Sequence, residues 1–149
     1  MSDGSDKKDY EVLIPGAFHV PSGAGDEPYL IGSRCEKCGA TVFPRMPVCP
    51  RGHRSMNDVA LGRHGTLFSF TISFVGVEGF DAPYYQAFVV TPEGPRVFAL
   101  ISRDVPVENG VLEDGMDMDL VIEAVRATPD GRPVLTYKYR PATMAGESR

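Results

Sequence analysis

The chain has 149 residues, is 42% hydrophobic and 23% charged, and carries a net charge of −5 with 16 Gly and 13 Pro. That length suits one domain of average size, or a small module joined to a slightly larger one, and no apolar run approaches the roughly 20 residues that span a bilayer. The acidic balance argues against a general polyanion binder, and the polar, acidic stretch Met1 to Asp9 does not open like a secretory signal. A cytoplasmic protein with no membrane partner is expected.

Residues 1–29 read as an extended N-terminal arm. Pro15, Pro21 and Pro28 interrupt it together with Gly16, Gly23 and Gly25, and its apolar content is confined to Val12, Leu13, Ile14, Phe18 and Val20. Proline biases the preceding residue toward extended conformations, so no long helix is expected here. An arm so poor in apolar surface builds no core of its own. It is either disordered or laid against something else, such as a partner chain.

Residues 30–60 hold all three cysteines. Three cysteines cannot all pair within one chain, and Cys35-Glu36-Lys37-Cys38-Gly39 has the spacing of a metal knuckle. Cys49 follows after ten intervening residues, in Cys49-Pro50-Arg51-Gly52-His53. A symmetrical ribbon would carry a fourth cysteine where Gly52 stands; His53, one residue later, is the natural substitute and gives a Cys3His set. Thiolate donors and a tetrahedral arrangement point to zinc, whereas a rubredoxin-type iron centre would want four cysteines. The competing reading is a degenerate second knuckle with the metal lost and Cys49 a small buried residue. A zinc ion held by four protein donors has no open position, so its role would be structural, replacing a core that so short a module cannot build.

Charge is unevenly spread. From Arg34 to Arg63 there are six basic residues against Glu36 and Asp58, leaving that stretch at +4 and the remainder at −9. Arg45, Arg51, Arg54 and Arg63 form either a solvated basic face or a local site for an anionic, phosphate-bearing ligand.

Residues 61–141 read as β structure. Phe68, Phe70, Ile72 and Phe74 alternate with Ser69, Thr71 and Ser73, the period of a strand with one buried and one polar face over Thr66 to Val75. Strands are also expected at Tyr85 to Thr91, Arg96 to Ser102, Met118 to Arg126 and Val134 to Tyr139. Pro92-Glu93-Gly94-Pro95 and Pro129-Asp130-Gly131-Arg132 turn between neighbours, and 103–117 is a connecting segment. Five short strands with a long connection after the third match a five-stranded OB-fold β barrel better than an immunoglobulin-type sandwich. The fold expected is therefore mainly β: an arm, a small zinc ribbon, the barrel, and a flexible tail over 142–149. The loop Gly76 to Tyr84 presents Phe80 and Tyr84 between glycines and is either a passive surface loop or a lid over a partner's active site.

Catalytic patterns are missing. There is no Gly-x-Ser-x-Gly, no His-Glu-x-x-His and no glycine-rich phosphate loop, and His19, His53 and His64 leave no visible nucleophile–base pair. His64 reads as a solvent-facing residue at a strand start.

The order Leu30-x-Gly32-Ser33-Arg34-Cys35-x-x-Cys38-Gly39, Phe43-Pro44-Arg45-x-Pro47-x-Cys49-Pro50 and Gly62-Arg63-x-Gly65-Thr66-Leu67-Phe68-Ser69-Phe70-Thr71 closely resembles the acyl-CoA-associated family of rubredoxin-like zinc ribbons fused to an OB domain, over roughly residues 29–141. The family usually has a fourth cysteine at the position of Gly52 and a helical N-terminus, both absent here. The resemblance implies a non-catalytic accessory subunit of a hetero-oligomer. A thiolase-like partner would perform the acyl transfer while this chain helps hold the CoA thioester, and one branch of the family serves anaerobic toluene degradation. Cys35, Cys38, Cys49 and His53 would be the metal donors. Arg45, Arg51, Arg54, Arg63, Phe80 and Tyr84 would face CoA or the partner. The alternative is a single-stranded nucleic-acid-binding ribbon–OB module, disfavoured by the acidic barrel and by reading Phe68, Phe70 and Phe74 as core. An independent thioesterase lacks any catalytic constellation.

Overall fold

The computed structural model describes residues 9–76, 82–108 and 110–143. Ten strands follow one another: β1 (Glu11–Val12), β2 (Phe18–His19), β3 (Tyr29–Cys35), β4 (Thr41–Val42), β5 (Met56–Leu61), β6 (His64–Ser73), β7 (Tyr84–Val90), β8 (Arg96–Ile101), β9 (Asp117–Ala127) and β10 (Pro133–Pro141).

The last five strands close into a barrel. β6, β7 and β8 form an antiparallel meander, β8 runs parallel to β10, β10 is antiparallel to β9, and β9 returns to β6. Closure leaves no free edge among these strands, and the parallel β8–β10 step needs the long 102–116 connection that crosses the barrel end. Alternation places Tyr85, Ala87 and Val89 of β7 and Val97, Ala99 and Ile101 of β8 inside, each at most 5% exposed. From the connection, Val105 and Leu112 plug the end of the core. The expected OB-type barrel and its turns are present: the β7–β8 hairpin closes with the Thr91 amide donating to the Pro95 carbonyl, and the β9–β10 hairpin with the Thr128 amide donating to Arg132.

β6 departs from the simple period of two. Leu67 pairs with Val89 but Ser69 pairs with Phe88, so Phe68 is the extra residue of a β-bulge. The bulge switches the phase: Leu67 is buried, Phe68 points out at 49% exposure, and Phe70 and Ile72 turn back onto the core. The strand then ends at Ser73 with Phe74 77% exposed. The expectation of one buried face shared by Phe68, Phe70, Ile72 and Phe74 is therefore corrected for Phe68 and Phe74.

A smaller sheet packs beside the barrel. β3 is its centre, flanked by β2 and β4 and paired from Leu30 to Cys35 with β5. The arm proves to be laid against its own chain. β1 runs parallel to β10, with the Leu13 amide donating to the Leu135 carbonyl at 2.8 Å and Arg132 bonded to Glu11 at 2.8 Å. Phe18 of β2 is buried at 7% exposure.

Candidate metal centre and flanking surfaces

The cysteine module is two turns held face to face by the β3–β5 ladder. The first leaves β3 at Cys35, where the Gly39 amide donates to the Cys35 carbonyl; in the second the Gly52 amide donates to the Cys49 carbonyl. Gly52 has φ +94°, a left-handed conformation that side chains rarely adopt. This gives a backbone reason for glycine at that position, and it delivers the chain to His53.

Four donor atoms converge. The sulfurs of Cys35, Cys38 and Cys49 and one ring nitrogen of His53 lie within 4.8 Å of one another. His53 Nδ1 is 3.5 Å from Cys35 Sγ and 3.4 Å from Cys49 Sγ, and Cys38 Sγ is 3.9 Å from Cys49 Sγ. Tetrahedral zinc with Zn–S near 2.3 Å and Zn–N near 2.05 Å requires S···S of about 3.8 Å and S···N of about 3.5 Å. Those three separations match that geometry, and the cluster is consistent with a structural zinc. Disulfides do not compete: all three cysteines are free.

The surroundings favour the thiolate at Cys49. Burial pushes the Cys49 thiol up, but amides of His53 and Arg51, at 3.4 and 3.3 Å from its sulfur, hold it down to about 6 with help from the other two thiols. At Cys38 the Ala40 amide also favours the thiolate, yet burial and the neighbouring sulfurs outweigh it and leave that thiol raised. A divalent cation among the sulfurs would relieve this mutual repulsion.

Two of the four arginines are engaged in ion pairs. Arg45 is bonded to Asp58 at 3.0 Å and Arg63 to Glu27 at 3.1 Å, whereas Arg51 and Arg54 are exposed. Tyr84, half-buried at the head of β7, lines a cavity of about 200 Å³ with Tyr85, Arg103 and Lys138. Phe80 lies outside the described residues. His64 is exposed as expected, but it hydrogen-bonds the buried Asp119.

Two features escaped the sequence reading. Lys138 is 1% exposed and pairs with Glu123 at 3.4 Å; burial lowers its pKa against the pull of that carboxylate. The outer face of β6–β7–β8 carries a row of exposed rings: Phe68, Phe88 and Phe98. Phe88 and Phe98 are register partners in edge-to-face contact at 5.5 Å, and the Arg96 guanidinium sits 4.0 Å over Phe68. Both faces of β7 and β8 are apolar at these positions, so alternation carried no signal for which rings would stay outside.

A four-donor ribbon packed on a closed five-stranded barrel defines a zinc-ribbon OB-type protein. The family model described as "ChsH2, rubredoxin-like zinc ribbon domain" matches residues 22–54. Benzoylsuccinyl-CoA thiolase subunit BbsA of Thauera aromatica is 34% identical over 135 residues, covering 90% of each chain. The subunit of the same name from Geobacter metallireducens is 31% identical, covering 89% of this chain and 87% of its own. Among solved structures, the Ltp2-ChsH2(DUF35) aldolase superposes with a TM-score of 0.62 at 25% identity, covering 76% of this chain and 85% of that one. The chain belongs to this ChsH2-type DUF35 family. Among the described residues, no helix is long and apolar enough to cross a membrane.

Proposed function

We propose that the chain is a non-catalytic accessory subunit of a thiolase-type complex. It docks on a catalytic subunit, helps bind the CoA thioester and completes that subunit's active site, with a benzoylsuccinyl-CoA-type substrate. Cys35, Cys38, Cys49 and His53 hold a structural zinc that shapes the docking surface, and Arg51 and Arg54 face CoA phosphates or the partner, with Arg45, Arg63, Phe80 and Tyr84 nearby in role.

One observation carries this reading: the likeness to BbsA subunits runs over nine-tenths of the chain, while its one cluster of metal-binding side chains among the described residues is a closed four-donor site. The exposed Phe68, Phe88 and Phe98 with Arg96 have the composition of an interface centre, rich in aromatics and arginine. The test is co-expression with a candidate thiolase-type catalytic subunit from the same genome. A stable hetero-oligomer whose thiolysis activity needs both chains is expected; a chain that stays unbound and leaves the partner fully active alone would refute the proposal.

Single-strand nucleic-acid binding gains one observation, since Phe88 and Phe98 lie on the second and third barrel strands, where OB folds stack bases. Stacking platforms also need a basic groove, and Arg96 is the one Lys or Arg on those two strands. Tight, steeply salt-dependent retention on single-stranded DNA would favour that reading over docking.

A further inference from the structure

Between the β2–β3 connection and the outer face of β9–β10 lies a cleft of about 470 Å³. Its walls are apolar where Val20, Pro21, Pro28 and Leu135 meet; Arg140 lines it, as do Asp119 and Glu123, the latter carboxylate already engaged by Lys138 and Ser102. Arg140 stands opposite Asp119 in the β9–β10 ladder, but that carboxylate hydrogen-bonds His64. Arg63, also on the wall, is bonded to Glu27. Arg140 is left without a hydrogen bond or ion pair among the described residues, and its Nε is fully buried. With its Nε out of reach, what Arg140 can offer the cleft is its pair of terminal amino groups. Those terminal groups have no acceptor among the described residues, and an entering anion would supply one.

We infer that this cleft is a binding site for a small oxyanion carried on an apolar body, with Arg140 as its anchor. Carboxylate and phosphate both fit the fork bidentately, and the proline- and leucine-lined walls take the adjoining carbon skeleton. The site is built within one chain, from the arm and the barrel, so it stands independently of any thiolase partner.

The test uses the full zinc-loaded chain labelled with ¹⁵N, following the Arg140 Nε–H resonance. Phenylsuccinate, inorganic phosphate and CoA are titrated separately, with phenylpropane as the uncharged control. A saturable shift with phenylsuccinate alone assigns a carboxylate site; a shift with phosphate and CoA assigns a phosphate site. R140K keeps the charge but loses the fork and the Nε–H, and binding should weaken about tenfold or more. An Nε–H signal unmoved by every anion overturns the proposal, as does R140K binding as tightly as the parent. If R140K does not fold, the wild-type titration alone decides.

Discussion

Phe43, just after β4 of the ribbon, meets Tyr137 of β10 edge to face, with ring centroids 5.6 Å apart. Phe18 of the arm reaches the same ring at 5.8 Å. One barrel side chain therefore joins three parts of the chain: arm, ribbon and barrel. Truncating it by Tyr137→Ala should destabilise the protein by about 2–4 kcal/mol, the range for removing a large packed ring. Tyr137→Phe should be close to neutral, because the hydroxyl makes only a 3.5 Å contact to the Phe98 carbonyl. Urea midpoints of the two variants check the pair; equal losses would show that the ring packing is not what joins the modules.

The ribbon's own core is small, with Leu30, Cys35, Cys49 and Leu61 as its fully buried apolar side chains, so a structural zinc would carry much of its stability. Chelation, or Cys35→Ser, should remove one equivalent of zinc and collapse the amide dispersion of residues 30–60. The barrel signals should persist, since that sheet closes on itself. Metal analysis with ¹⁵N spectra decides it. A chain whose ribbon amides survive metal removal would show that packing alone holds the ribbon.

At Gly32 of β3, an added Cβ would sit 2.5 Å from the Val42 carbonyl oxygen. That neighbour is backbone of the paired strand and cannot swing aside. Gly32→Ala should cost about 1–3 kcal/mol by overpacking, read as a lowered thermal midpoint with reduced zinc retention.

Tyr139 is fully buried, and its hydroxyl has no hydrogen-bond partner among the described residues. Burial raises its pKa far above the ordinary phenol value. Removing that oxygen by Tyr139→Phe should leave stability unchanged or raise it by up to about 1 kcal/mol. A clear loss in denaturant titration would mean that the hydroxyl has an acceptor after all.

Asp26 accepts the Ser22 amide at 2.8 Å and the His19 ring at 2.9 Å, and these contacts hold its carboxyl below the usual range. A depressed folded-state pKa contributes stability that is present above the unfolded value near 4 and is lost as pH falls through the folded one. The β2–β3 connection should therefore keep its structure from neutral pH to about 4 and loosen only in stronger acid. The Ser22 amide shift, followed against pH, reports it. A midpoint at or above the ordinary aspartate value would contradict the contact.

Much of the architecture was legible before any coordinates. The Pro-Glu-Gly-Pro and Pro-Asp-Gly-Arg turns, the five barrel strands and the Cys35–Cys38 knuckle rest on local chemistry: fixed φ at proline, positive φ at glycine, thiolates at metal spacing. The side on which each phenylalanine lies was not legible. Phe68 and Phe70 sit two residues apart, yet the bulge puts one in solvent and the other against the core.

Residue types and their spacing by themselves determined that a Cys3His set exists and that β structure follows it. Only the tertiary structure decided where the arm goes, which rings stay outside, and that Arg140 lines a cleft with no partner among the described residues. The division has a physical cause. Turn and ligand chemistry act over a few residues, whereas register, bulges and the pairing of charges across β9–β10 depend on strands brought together from distant parts of the chain.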